Sequence, residues 1–200
     1  MMNRGGHKVE KRIVLTVVLA VLFAASTYAQ TTDFLTLVAN GTTQQVQDAI
    51  KQGADMKTLG FNNMTPLMAA AMGNPRPGVI KALLKAGADL TTRDTTGMTA
   101  LMLAAYENPS TDAINALLNA VDNYGHLGAN MLYDKNPIGE TVLMFAAENN
   151  PNPEVITLLL KDGALAKAQD MNGKTTLDYA QDNDNLMGTK AYQELEKASQ

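Results

Sequence analysis

From residue 46 onward, apolar residues fall in short helical clusters separated by turns rich in Gly, Asp and Asn. The clusters are of two kinds. One opens on Thr and runs straight into apolar residues: Thr65-Pro66-Leu67-Met68-Ala69-Ala70-Ala71, Thr99-Ala100-Leu101-Met102-Leu103-Ala104-Ala105, Thr141-Val142-Leu143-Met144-Phe145-Ala146-Ala147 and Thr175-Thr176-Leu177-Asp178-Tyr179-Ala180. The other, as in Val79-Ile80-Lys81-Ala82-Leu83-Leu84 and Val155-Ile156-Thr157-Leu158-Leu159-Leu160, leads to a second ladder: Gly53-Ala54-Asp55, Gly87-Ala88-Asp89, Gly128-Ala129-Asn130 and Gly163-Ala164-Leu165. Two ladders that stay in register over most of the chain mark a repeat, each unit a helix pair that buries its apolar side only against its neighbours. The pattern predicts an all-α stack.

Each residue type has a physical task in such a unit. Thr is expected to cap the first helix by accepting an orphaned backbone N–H. Ala pairs such as Ala70-Ala71 and Ala146-Ala147 let helices approach closely, and Leu67, Leu101, Leu143 and Leu177 should form one inward row. The glycines of the second ladder end the second helix in a left-handed conformation.

On these two ladders the chain resembles the ankyrin-repeat family, in an exported bacterial form, over about residues 31–200. The resemblance implies a solenoid of helix-turn-helix units with projecting loops that binds other proteins. The loops correspond to Asp94-Thr95-Thr96-Gly97, Asn136-Pro137-Ile138-Gly139 and Asp170-Met171-Asn172-Gly173, with Asn63 in place of Gly in the earlier unit. Asp or Asn opening such a turn and Gly closing it is ordinary turn chemistry.

The chain departs from the family pattern in three ways. The helix-start His of the family is Met68, Met102 and Met144 here, and Asp178 in the last unit, so thioether packing is expected to replace its hydrogen bonds. Asn-Pro stands between the helices at Asn74-Pro75, Asn108-Pro109 and Asn150-Pro151, which lengthens that loop. An insertion falls near residues 121–127, after the second helix of the third unit. Both ends are polar, as solenoid ends must be. Together they give about five units: two caps and three central repeats.

The first 29 residues form a separate domain. Arg4, Lys8, Lys11 and Arg12 precede an apolar run over residues 13–25 and the small residues Thr27 and Ala29. That order is a secretory signal, with cleavage expected after Ala29. The run is shorter than the ~20 residues that span a bilayer comfortably. The expected location is therefore periplasmic or secreted, the alternative being an inner-membrane anchor with the repeats facing the periplasm.

Composition narrows the chemistry. The chain has no Cys and no Trp, which removes disulfides, thiolate sites and cysteine-linked lipid. Its formal net charge is −4, and losing the basic leader makes the rest more acidic still. No basic run follows Arg12, so nucleic acid is not an expected partner. After the leader the only His is His126 and the only Ser residues are Ser110 and Ser199, with no nucleophile elbow around either. No catalytic residue, metal site or cofactor is expected; the recurring methionines are read as core, and Asp182, Asn183, Asp184 and Asn185 as a solvated loop.

The resemblance places partner binding on the loop tips and the exposed side of each first helix. In this sequence those are Phe61, Asn62 and Met64; Thr95, Thr96 and Met98; Pro137, Ile138 and Glu140; Met171, Asn172 and Lys174; and, on the helices, Met72, Tyr106, Glu107, Glu148 and Asn149. Met64, Met98 and Ile138 are open to a second reading, packing loop on loop. Tyr124 and His126 in the insertion form a second candidate. The expected function is an exported, monomeric protein that binds another protein in the cell envelope. The alternative is an immunity-type or inhibitor protein that neutralises a periplasmic toxin or hydrolase.

Overall fold

A computed structural model describes residues 33–123 and 131–200. Helix α1 covers residues 33–40. It is followed by α2 (Thr43–Lys51), α3 (Pro66–Gly73), α4 (Pro77–Lys85), α5 (Ala100–Glu107), α6 (Thr111–Asn123), α7 (Val142–Asn149), α8 (Glu154–Lys161), α9 (Thr176–Ala180) and α10 (Lys190–Ala198). The described residues thus fold into five helix pairs. Contacts run α3 to α5 to α7 to α9 in one layer and α2 to α4 to α6 to α8 to α10 in the other. Each helix therefore packs mainly on its counterpart in the next pair, which is what defines a solenoid.

The two layers differ because their sequences do. In the inner layer, every residue over 66–71, 100–105 and 142–147 is buried. A helix that is apolar all round must be enclosed on all sides. The outer helices bury one stripe only: Val79, Ile80 and Leu83 in α4, Val155, Ile156 and Leu159 in α8. Burying one such Leu or Ile contributes about 1.5–3 kcal/mol. The predicted inward row holds for Leu67, Leu101 and Leu143, which are fully buried. Leu177 departs from it. It is only partly buried, because α9 belongs to the last pair among the described residues and has an inner helix, α7, on one side alone.

The caps form as the sequence predicts. Thr65, Thr99 and Thr141 accept the N–H of Met68, Met102 and Met144 on their hydroxyl oxygens. Methionine does more than pack. The Sδ atoms of Met68 and Met144 accept the N–H of Thr65 (3.5 Å) and Thr141 (3.4 Å), taking over the return half of a capping box. In the last unit Asp178 does so with a carboxylate, accepting the Thr175 N–H at 2.6 Å and its hydroxyl at 2.7 Å.

The Asn-Pro steps do not merely lengthen a loop. Asn74, Asn108, Asn150 and Asn183 are buried, and each Nδ2 donates to two carbonyls of the preceding pair. Asn74 reaches Val38 and Gly41, and Asn108 reaches Ala71 and Asn74. Asn150 reaches Ala105 and Asn108, and Asn183 reaches Ala147 and Asn150. Each Oδ1 meanwhile accepts the N–H two residues on. These asparagines satisfy the helix-end carbonyls that the stack removes from water. Asn183 therefore corrects the expectation of a wholly solvated loop over residues 182–185; Asp182, Asp184 and Asn185 are exposed as expected.

The projecting loops are short fingers. Isolated antiparallel bridges join Lys135 to Thr141 and Gln169 to Thr175 at their roots. Asn63 and its neighbour Asn62 both adopt φ +59°, the left-handed conformation expected at position 63. The insertion begins as extra helix, since α6 runs to Asn123; its remainder lies outside the described residues.

Candidate protein interface

Successive fingers are tied by main chain. The Thr95 N–H donates to the Asn62 carbonyl at 3.0 Å, and the Met171 N–H to the Ile138 carbonyl at 2.9 Å. At the middle junction the equivalent donor position is Pro137, which has no N–H to give. Arg93 spans that junction instead. Its guanidinium donates to the carbonyls of Gly97 (2.8 Å) and Lys135 (3.2 Å) and pairs with Asp134 at 2.7 Å.

The tips are apolar where water would favour charge. Phe61 is 87% exposed, Met171 75% and Ile138 50%, with Pro137 exposed beside them. Asn62, Thr95, Thr96 and Asn172 are exposed at the same level, so the second finger is polar at its tip. Met64, Met72 and Met98 behave differently, being partly buried against the core. Met64 and Met98 thus lie against the core and not at the exposed tips. Ile138 remains half in solvent.

Below the tips a group of ionisable side chains gathers around two tyrosines. The Tyr179 hydroxyl lies 2.8 Å from Glu140 Oε1 and 2.9 Å from Asp170 Oδ2. Burial first, then those two carboxylates, push its pKa far above the ordinary tyrosine value. Burial alone would raise Asp170, but bonds from the Lys174 N–H, Tyr179 and Asn172 outweigh it and hold that carboxyl low. Glu140 Oε2 accepts from Asn136 Nδ2 at 2.7 Å. Tyr106 meets Phe145 edge to face at 6.1 Å. Its hydroxyl pKa is raised by desolvation and by the charges of Glu148, Glu107 and Glu140. Glu148 is raised as well, by desolvation and then by Glu140, with Lys174 opposing. Lys174 stands over the Tyr179 ring, 5.6 Å from its centroid. Exposed Asn149 donates to the Tyr106 carbonyl at 3.3 Å.

The structure thus brings Glu140, Glu148, Tyr106, Glu107 and Lys174 into one neighbourhood, continuous with Ile138 and Met171 through Tyr179 and Asp170. Phe61 lies at the other end of the finger row. Tyr124 and His126 lie outside the described residues. Sequence reasoning missed Tyr179 and Asp170. The signal available was that Tyr179 takes the place of Phe145 one unit earlier, adding a hydroxyl where an apolar ring had served.

Elsewhere, a cleft of about 750 Å³ opens between the turns that follow α2 and α4, walled by Asp55, Lys57, Leu59, Asp89 and Thr92. Its carboxylates already accept local bonds, Asp55 from the Lys57 N–H and Asp89 from the N–H and hydroxyl of Thr91. Among the described residues no group of three His, Asp or Glu is placed to hold a metal. Nor is any described helix long and apolar enough to cross a membrane.

A family model for ankyrin repeats in three copies matches residues 34–126, and a second, for a single ankyrin repeat, matches residues 138–171. The chain belongs to the ankyrin-repeat family. Ankyrin repeats are, as a rule, interaction modules that bind other proteins rather than catalysts. No curated protein matches this ankyrin-repeat chain. Its helix pairs, fingers and exposed tips are those of an all-α repeat solenoid.

Proposed function

We propose that this ankyrin-repeat protein is exported by its leader, cut after Ala29, and binds another protein in the cell envelope through its fingers and inner helices. The carrying observation is the exposure of Phe61, Ile138 and Met171 along one finger row. Exposed apolar side chains rimmed by polar ones mark interaction sites; Ile138 and Met171 stand on adjacent bonded fingers, with Phe61 set apart from them by the polar second finger. The basic leader, the short apolar run and the small residues before Gln30 support export.

The test has two arms. N-terminal sequencing of protein from fractionated cells should begin at Gln30; an intact leader on membrane-bound protein would instead favour the anchored form. Affinity capture from envelope extract should retain a partner that is lost when Phe61, Ile138 and Met171 are changed to Ser together. A partner held equally by that variant would remove the fingers from the interface. The narrower reading, an immunity-type or inhibitor protein for a toxin or hydrolase in that compartment, draws on the net charge of −4, which suits a basic enzyme surface. It requires that the captured partner be an enzyme and lose activity when bound.

A further inference from the structure

The two helix layers treat their C-termini in opposite ways. A helix C-terminus carries partial negative charge and is stabilised by a cation in its last turn. In the outer layer α2, α4, α8 and α10 follow this rule with Lys51, Lys85, Lys161 and Lys197; α6, which runs into the insertion, does not. In the inner layer α3, α5 and α7 have no basic residue there. Glu107 is instead the last residue of α5, and Glu148 lies one residue from the end of α7. Negative side chains thus sit on the negative ends of two neighbouring helices, and Glu148 also feels the charge of Glu140, which precedes the Thr141 N-cap of α7.

Neutral donors, the Tyr179 hydroxyl and Asn136 Nδ2, hold the Glu140 carboxylate, but no cation among the described residues pairs directly with the group. Among the described residues none of Glu107, Glu140 and Glu148 forms an ion pair; the pairs present are Lys51–Asp48, Arg93–Asp134 and Lys190–Glu194. Lys174 offsets Glu148 only at a distance. Like charges gathered on one face without a paired cation fit a surface completed by a partner of the opposite sign. The same surface runs without a break into the apolar fingers, since Tyr179 links Glu140 to Asp170 and the Met171 N–H bonds to the Ile138 carbonyl.

We infer that the occupant of this face is a cationic segment of a partner protein. Its Lys or Arg side chains enter among Glu107, Glu140 and Glu148, while its apolar side chains lie on Ile138 and Met171. This rests on the fingers and inner helices being the docking surface, and adds the chemistry of what docks there. Arg suits the position best, because its planar fork bonds carboxylates in pairs and its face stacks on a ring such as Tyr106.

The test uses the purified protein and a fluorescein-labelled peptide of alternating Arg and Leu, with Ser-Leu and Glu-Leu peptides of equal length as comparators. Fluorescence anisotropy should show saturable binding of the Arg-Leu peptide alone, weakening about tenfold or more between low and physiological salt. Glu107→Gln, Glu140→Gln and Glu148→Gln together should weaken it about tenfold or more, while Glu154→Gln, Asp162→Asn and Glu196→Gln on the outer helices leave it unchanged. Because Glu140 accepts from Tyr179 and Asn136, the Glu107→Gln, Glu148→Gln double variant, which leaves those bonds in place, should melt no lower than the parent and still bind the peptide more weakly, which shows that lost binding is not lost folding. Equal loss in both triples would mean only net charge is felt, and would overturn the inference. So would absence of saturable binding, or Ser-Leu binding as tightly. A protein that sediments as a dimer until the inner glutamates are changed would make a second copy the occupant, and would also overturn it. If the finger serines abolish capture of the envelope partner but the inner glutamines do not, this inference fails and the docking surface stands. If neither set matters, both fail.

Discussion

The side-chain Nδ2 of Asn108 donates to the main-chain oxygen of Asn74 at 3.0 Å, so each rung of the stack is anchored on its own counterpart one unit earlier. The same amide reaches the Ala71 carbonyl at 2.7 Å. Both acceptors belong to the buried end of α3, where water cannot replace the donor. Asn108→Ala should therefore destabilise the protein by about 2–4 kcal/mol, the cost of leaving buried carbonyls unsatisfied together with the lost packing. Urea denaturation measures it. Asn185→Ala, on an exposed side chain two residues beyond the last rung, should change stability by no more than about 0.5 kcal/mol. Equal effects at the two sites would mean that the ladder contributes nothing.

This ladder also marks the limit of what the sequence alone discloses. The Asn-Pro steps are plain in the chain, but spacing shows only a longer loop, because a buried amide and an exposed one look alike in sequence. Asn183 has no Pro after it and sits among Asp182, Asp184 and Asn185, so polarity pointed to solvent. The Thr caps, the Leu row through Leu143 and the buried methionines follow from local rules and are legible. Leu177 is not, because its partial exposure depends on α9 being the last inner helix among the described residues. The finger tips at Phe61, Ile138 and Met171 follow from the repeat register. Tyr179 between Glu140 and Asp170 requires residues from two units to meet, and no local pattern encodes that.

Two finger glycines with nearly the same backbone separate crowding from conformation. Gly139 (φ +90°) and Gly173 (φ +79°) both lie in the left-handed region. A Cβ on Gly173 would meet nothing within 4 Å, whereas one on Gly139 would stand 2.9 Å from the Met171 nitrogen and 3.0 Å from Asp170 Cα. Gly173→Ala should cost about 1 kcal/mol for the strained conformation. Gly139→Ala should cost at least about twice that, because backbone of the next finger has to move, taking the Met171–Ile138 hydrogen bond with it. Thermal unfolding of both variants is the measurement, and similar losses would show that the fingers yield freely.

Thr176 is fully buried in α9, and its hydroxyl has no hydrogen-bond partner among the described residues. The equivalent residue one unit earlier is Val142, buried and of nearly the same shape. Thr176→Val should therefore stabilise the protein by about 1 kcal/mol, by removing an unsatisfied polar atom without changing volume. Thr176→Ser keeps the hydroxyl and loses a methyl group, so it should be less stable than the parent. A destabilising Thr176→Val would mean that the hydroxyl is bonded to an internal water.

The glutamates of the inner face should also reveal themselves through pH. Desolvation and the charge of Glu140 raise the pKa of Glu148 in the folded protein above its unfolded value. The folded state then binds this proton more readily than the unfolded chain, so the charged carboxylate costs stability at neutral pH. That cost disappears as pH falls through the raised pKa toward the ordinary glutamate range. Glu148→Gln should accordingly be more stable than the parent at pH 7, by a few tenths of a kcal/mol after solvent screening, and equal to it below about pH 4. Asp178 has the opposite sign. Hydrogen bonds from the Thr175 N–H and hydroxyl depress its pKa, so its contribution is present above the unfolded aspartate value and is lost as pH falls through the lower folded one. Because both groups titrate in acid, the parent's own pH profile mixes a gain with a loss. The difference between parent and Glu148→Gln isolates the first, and that between parent and Asp178→Asn the second. If the Glu148 difference were flat from pH 7 to pH 4, the carboxylate would be as well solvated as any surface glutamate, and the crowding of charge on this face would carry no energetic weight.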